Sequence, residues 1–301
     1  MTTTDHPAWV HAPACTQADA AQDAENAQDA QDAQEAHSVL LIHGQPGSSL
    51  IWTRVHPLLS ACGLHVLSID RPGYGHTRGQ ALNQFDNAAA IAAVLDQQHA
   101  APAIVVGHSL GAGIALALAA TAPHHVRALV LIAPAAGPTA ITATDRALAA
   151  PVLGPTLSWL GFRAAGLALH LPVLRRRILT ERIGLTATDA DDVVRRITRG
   201  QIWRSFTLEQ RHLVTDAHRL QHHLGGITCP AVIIAGTRDR IVRPKIVAAI
   251  ARQLPQANLI TTDTGHLIPI DDPDAVVNGV LRALRWQYRN SLHDPAASRR
   301  A

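Results

Sequence analysis

The feature that most restricts this chain is a rhythm that begins at Ser38, in which short apolar runs alternate with longer segments of helical spacing. Residues 39–42, 66–69, 104–106, 128–132, 231–235 and 259–262 read as strands. Segments 50–61, 87–98, 110–122, 245–254 and 275–288 read as helices between and after them. A strand with no polar alternation has to be covered on both faces, and helical crossovers between strands join parallel neighbours. The expected fold class is therefore α/β, with a mostly parallel central sheet and helices on both faces.

The rhythm breaks once, over residues 136–227, which contain Pro138, Pro151, Pro155, Pro172 and several helix-like stretches. The first half, 147–174, is strongly apolar with Arg163 its only formal charge, and Arg175, Arg176 and Arg177 follow directly. The second half, 189–224, is polar and helical. This segment reads as an inserted helical cap over the carboxyl edge of the sheet, where open α/β sheets place their ligand crevice. The expected organisation is a core of 38–135 and 228–290, the cap 136–227, and a flexible tail 291–301. With 301 residues, 47% of them hydrophobic, the chain can bury one sizeable core.

Residues 1–37 differ from all of this. They hold seven acidic residues, no Lys or Arg, and repeated Gln-Asp-Ala at 22–24, 28–30 and 31–33. No apolar stripe could dock a helix there, so a disordered acidic arm is expected. With those seven acids set aside, the formal net charge rises from +3 to +10 for the rest of the chain. The arginines are scattered and no basic run is interleaved with aromatics, so nucleic acid is not an expected partner. Membrane-surface contact through 147–174 and the adjacent arginines is the weaker alternative, because internal prolines interrupt a continuous amphipathic helix. Cys15, Cys62 and Cys229 are odd in number and widely spaced, which fits free thiols in a reducing compartment. With no secretory signal pattern and no apolar run of spanning length, the expected location is cytoplasmic. No cofactor or metal is expected, and the sequence sets no oligomeric state.

Chemistry enters at Gly107-His108-Ser109-Leu110-Gly111, where an apolar strand ends and an Ala/Leu-rich helix opens. A serine that projects from a strand end needs a sharp, strained turn, and glycines on both sides relieve the crowding. The helix that follows aims its N-terminus at the reacting centre and favours negative charge there. Ser109 is therefore the candidate nucleophile. His108 is assigned to packing, because its neighbour position directs the ring away from Ser109.

A serine hydroxyl needs a general base, and the base needs an orienting acid. Among 18 histidines, His266 stands out because it follows the last strand in Thr262-Asp263-Thr264-Gly265-His266. Strand 231–235 runs into Gly236-Thr237-Arg238-Asp239, which makes Asp239 the candidate acid. The first strand ends in His43-Gly44-Gln45-Pro46-Gly47, and the Gln45 backbone N–H with that of Leu110 would form a two-donor oxyanion hole. The turn Asp70-Arg71-Pro72-Gly73-Tyr74-Gly75 reads as rigid scaffold for the site. Trp52, Trp159, Phe162, Trp203 and Leu267 are candidates for lining the substrate pocket.

Taken together, these motifs resemble the α/β-hydrolase superfamily in its cap-bearing branch, over about residues 38–286. The resemblance implies Ser109 as nucleophile, Asp239 as acid, His266 as base and the Gln45 and Leu110 amides as the oxyanion hole. Family members usually carry a β-hairpin before the His-Gly strand; here only residues 8–14 could supply a strand, so the sheet is expected to be short of an edge strand or two. Epoxide hydrolases and haloalkane dehalogenases resemble the chain in the same motifs but use an aspartate nucleophile, whereas position 109 is serine. The epoxide-opening tyrosines are also missing, since the only tyrosines are Tyr74 and Tyr288. The expected activity is hydrolysis of a carboxylic ester of a small or lipophilic substrate through an acyl-serine intermediate. Cofactor-free haloperoxidase (perhydrolase) or carbon–carbon bond hydrolase chemistry with the same triad is the first alternative. A non-catalytic binding or scaffold member of the fold is the second.

Overall fold

The computed structural model describes residues 10–11, 37–200 and 202–292. Six parallel strands form the sheet: β2 (Ser38–Ile42), β3 (His65–Ile69), β4 (Ala103–His108), β5 (Val126–Ile132), β6 (Ala231–Gly236) and β7 (Ala257–Thr262). The two-residue strand β1 (Val10–His11) adds to the edge antiparallel to β3, pairing Val10 with Ile69. The spatial order is β1-β3-β2-β4-β5-β6-β7, so the chain starts near the middle and winds outward in both directions. The expected missing edge is thus filled in part, from within the segment 8–14. The rest of the expected acidic arm up to residue 36 lies outside the described residues.

Strand side chains alternate between the two faces. Leu40, Ile42, Val105, Leu129, Leu131 and Ile233 meet one helical layer. It is built from α2 (Gln84–Gln97), α3 (Leu110–Thr121) and α9 (Pro244–Ala251). Val39, Leu41, Ile104, Val106, Val130 and Val232 meet the other layer, of α1 (Val55–Ala61) and α11 (Pro273–Leu292). Helix α3 carries Ala, Leu, Ile and Gly on every side and is almost wholly buried, which suits a helix enclosed by a sheet and its neighbours. Asn83 caps α2 by accepting from the Asp86 backbone N–H at 2.8 Å.

The segment expected as one helix, 50–61, is two: a 3₁₀ turn at Ser49–Trp52 and then α1. Pro57 is the reason, because proline has no N–H and is tolerated only in the first turn, so the α-helix begins at Val55. Helix α11 runs through Leu292, past the expected start of the tail, and residues 293–301 lie outside the described residues.

Between β5 and β6 the chain is helical: α4 (Ala143–Ala149), α5 (Leu153–Leu169), α6 (Pro172–Arg175), a π-helical turn (Arg176–Arg182), α7 (Ala187–Arg199) and α8 (Ile202–Leu224). Thr142 and Asp145 form a reciprocal capping box at the start of α4. Helix α8 joins the insertion to the core through Leu213, Leu220 and Leu224. The outer helices share a small cluster of Leu169, Leu179, Leu185, Ala190 and Val194. Most large side chains of 147–174 do not pack inward. Val152, Leu153, Leu157, Trp159, Leu160 and Leu167 are exposed.

Candidate active site

Ser109 sits between β4 and α3 with φ 55° and ψ −118°, a left-handed conformation that a residue with a side chain adopts under strain. The surroundings hold it there. Its N–H donates to the Ile132 carbonyl at 2.8 Å, and its carbonyl accepts from the Ala135 N–H at 3.1 Å. The flanking glycines are required by contact. A Cβ on Gly107 would lie 2.4 Å from the Gly111 carbonyl oxygen, and one on Gly111 would lie 2.3 Å from that of Ile42. The second approach seats the start of α3 against the end of β2. The loop after β2 is equally close, since a Cβ on Gly44 would lie 3.0 Å from the Ser109 Cβ. Gln45, in the loop after β2, and Leu110, the first residue of α3, therefore flank the elbow. Gln45 is half-buried, and its Oε1 is buried without a hydrogen-bond partner among the described residues.

Asp239 and His266 are brought together across the ends of β6 and β7. His266 Nδ1 lies 2.8 Å from Asp239 Oδ2, and the Asp239 side chain is almost fully buried. The other carboxylate oxygen, Oδ1, accepts from the Ile241 N–H at 2.8 Å and the Val242 N–H at 3.0 Å. Both oxygens are thus engaged, and the carboxylate is oriented by backbone rather than by flexible side chains. With Nδ1 facing Asp239, Nε2 is the nitrogen left to exchange a proton with a substrate or nucleophile.

His108 does more than pack. Its ring is 4.8 Å from the His266 ring, and its Nε2 lies 2.9 Å from the His266 carbonyl oxygen. Burial, helped by the neighbouring His266, lowers the His108 pKa to about 3. The neutral ring therefore donates from Nε2 to that carbonyl and fixes the loop that carries His266.

A second buried network was not legible in the sequence. Asp70 accepts from the Ser49 N–H at 2.7 Å and the His76 N–H at 2.8 Å, which ties the loops after β2 and β3 together. Arg71 donates from Nε to the His43 carbonyl at 3.1 Å and from a terminal nitrogen to the Gly44 carbonyl at 3.0 Å. The same guanidinium forms an ion pair with Glu209 of α8, with both side chains 1% exposed. Tyr74 donates its hydroxyl to Glu209 at 2.7 Å. Burial and the adjacent carboxylate push the Tyr74 pKa well above its ordinary value. His43 is lowered to about 3, first by burial and then by Arg71; its Nε2 accepts from the Arg71 backbone N–H at 3.1 Å. One residue of the insertion is thereby wired through Arg71 to the loop beside Ser109. Glu209 lies in a long polar helix and looks there like part of a solvated face.

The candidate pocket residues separate. Phe162 is half-buried, stacks edge-on against Phe206 at 5.5 Å, and helps line a cavity of about 140 Å³. That cavity also touches Pro46, Gly47 and Ser48 of the loop after β2, with Val193, Arg196 and Ile202 from the insertion. Trp159 does not belong to it. It is 46% exposed with the Arg163 guanidinium over its ring, on the flank of α5 between the buried side and the exposed leucines. Trp52 is 1% exposed in the apolar layer beneath the sheet with Val39, Val55 and Val106, and borders a separate depression with His56, Ser68 and His76. Trp203 is half-buried under the Arg204 guanidinium, and Leu267 is half-buried ahead of the short helix α10 (Ile268–Asp271).

A family model described as alpha/beta hydrolase fold matches residues 37–273. A pimeloyl-[acyl-carrier protein] methyl ester esterase of Neisseria meningitidis is 32% identical over 237 residues, covering 77% of this chain and 86% of that protein. A magnesium-chelatase 30 kDa subunit of Rhodobacter capsulatus is 31% identical over 245 residues, covering 76% and 80%. Among solved structures, a thermophilic esterase from Thermogutta terrifontis superposes with a TM-score of 0.60 at 18% identity, over 83% of this chain and 90% of that one.

Proposed function

Since the chain belongs to the α/β-hydrolase fold family, we propose that it is a serine hydrolase that cleaves a carboxylic ester through an acyl-serine intermediate. The observation that carries this reading is the Asp239–His266 pair, 2.8 Å apart and backbone-oriented, on the same sheet edge as the strained Ser109 elbow. In the proposed reaction Ser109 Oγ attacks the ester carbonyl as His266 Nε2 takes its proton. The backbone N–H groups of Gln45 and Leu110 hold the oxyanion, each worth about 3 kcal/mol in such sites. The protonated His266 then gives its proton to the leaving alkoxide. Water, activated by the same nitrogen, releases the acid and restores Ser109. Asp239 holds the imidazole in the required tautomer throughout.

An ester as the scissile group is supported by the relative named as a methyl ester esterase. An uncharged or lipophilic acyl group is supported by Leu50, Phe162, Val193, Ile197 and Ile202, which share the lining of the cavity beside the Gln45 loop with Asp70, His76, Asp192 and Arg196. The test is hydrolysis of p-nitrophenyl esters of increasing chain length, with Ser109→Ala as control. The reading expects turnover that the variant lacks. Wild-type rates no higher than those of Ser109→Ala at every chain length would overturn it.

A further inference from the structure

The outer face of the insertion has a composition that nothing at the site uses. Ten of the thirteen exposed large apolar side chains among the described residues lie between Val152 and Ile178. Leu153, Leu157, Leu160 and Leu167 follow one another at helical spacing along one side of α5. Val152 is 82% exposed and Leu167 73%, so these are not grazing contacts.

The orientation is imposed by the opposite side of the helix. Gly154, Ser158, Gly166 and Leu169 are buried there, and Phe162 faces the cavity. A Cβ on Gly154 would lie 2.0 Å from the Leu148 carbonyl oxygen, and one on Gly166 would lie 2.8 Å from Thr198 Cγ2. Only small residues fit at those points, so turning the leucines inward would separate α5 from its neighbours. The leucines are outside because the inside has no room for them.

The charged side chains within this stretch are all positive. Residues 147–180 contain Arg163, Arg175, Arg176 and Arg177 and no Asp or Glu. Arg175 pairs with Asp191 and Arg176 with Glu181, both from beyond that stretch, while the Arg163 guanidinium lies over the Trp159 ring. A second copy of the chain would bring like charges together here. An anionic bilayer supplies both an apolar phase and opposite charge, and Trp and Arg at the margin suit its headgroup level. No single described helix is long and apolar enough to cross a membrane. The apolar pair Ala143–Ala149 and Leu153–Leu169 is bent by 101°, so it cannot cross as one straight span.

We propose that the outer face of α5 and the arginine run after it dock this protein on the surface of an anionic lipid bilayer, with Leu160 and Leu167 inserted and the arginines at the headgroups. Phe162, on the inner side of the same helix, then places the cavity directly behind the docked face.

The experiment is sedimentation of the full chain with vesicles of phosphatidylcholine alone or mixed with phosphatidylglycerol, at low and high salt. The proposal expects pelleting with the anionic vesicles, weakened by salt. Leu160→Asp/Leu167→Asp should lower partitioning by more than about tenfold, and Arg176→Gln/Arg177→Gln by about tenfold. Leu58→Asp, an exposed leucine on α1, should leave it unchanged. Circular dichroism checks that each variant is folded, and the arginine pair keeps the test open if the aspartates unfold the insertion. No pelleting, equal pelleting on both vesicle types, or pelleting that survives Leu160→Asp/Leu167→Asp would overturn the proposal. So would a dimer in light scattering that the same leucine variant dissolves without any vesicle binding, since a second copy would then cover the face.

Discussion

The sheet and the insertion of this protein use the same residues in opposite ways. In the sheet, Leu40, Leu131 and Ile233 are wholly buried, and the strand ends deliver Ser109, Asp239 and His266 from the hydrogen-bonded frame of β4, β6 and β7. In the insertion, leucines of α5 face outward, and the contacts with the core include α8, the buried Arg71–Glu209 ion pair and a second ion pair, Arg182–Asp271. The difference teaches where precision comes from. Site groups at the sheet edge are placed by the covalent and hydrogen-bonded frame, while the insertion is placed by a few specific contacts and leaves its apolar surface exposed.

That contrast can be broken in order of expected effect. Asp239→Asn should leave thermal stability near wild type yet lower ester turnover by about four orders of magnitude, because His266 would lose its tautomer. A loss under tenfold would remove Asp239 from the proposed machinery. Glu209→Ala should destabilise by about 3–5 kcal/mol in urea unfolding, since it leaves the Arg71 charge buried without its carboxylate. An unchanged midpoint would mean that the insertion is held elsewhere. Leu131→Ala in the sheet should cost about 2–5 kcal/mol, whereas Leu167→Ala on α5 should stay within about 0.5 kcal/mol. Equal costs at the two sites would erase the comparison.

A separate prediction concerns acid stability. His43 and His108 are lowered to about 3 in the folded chain from an ordinary 6.5. Between those values the unfolded chain binds protons that the folded chain refuses, so stability falls as pH drops from about 6.5 toward 3. Each histidine contributes up to about 1.4 kcal/mol per pH unit to that slope. His108→Gln should flatten the urea-midpoint profile over this window, and an unchanged slope would show that His108 protonates freely when folded.

Legibility in the sequence follows the same division. The six parallel strands were readable because their centres are short apolar runs, broken only by Ser68 in β3 and by the polar ends of β7, although β4 and β5 extend two or three residues beyond the apolar cores. The elbow was readable because Gly107 and Gly111 are there for contact, and Asp239 and His266 because each follows a strand at the same edge. Phe162 and Trp159 could not be told apart, since both lie in a segment apolar on all sides, and periodicity does not say which side faces in. Trp52 gave no sign of belonging to the core rather than a pocket. Glu209 was hidden because its partner Arg71 is 138 positions away, and only the folded chain brings them together.

The most direct test of the account is labelling of the full chain with a fluorophosphonate probe, followed by peptide mapping. The account predicts one labelled peptide bearing the modification on Ser109, absent in Ser109→Ala and strongly slowed in His266→Gln. A folded wild-type chain that takes no label, or takes it at another residue, would contradict it.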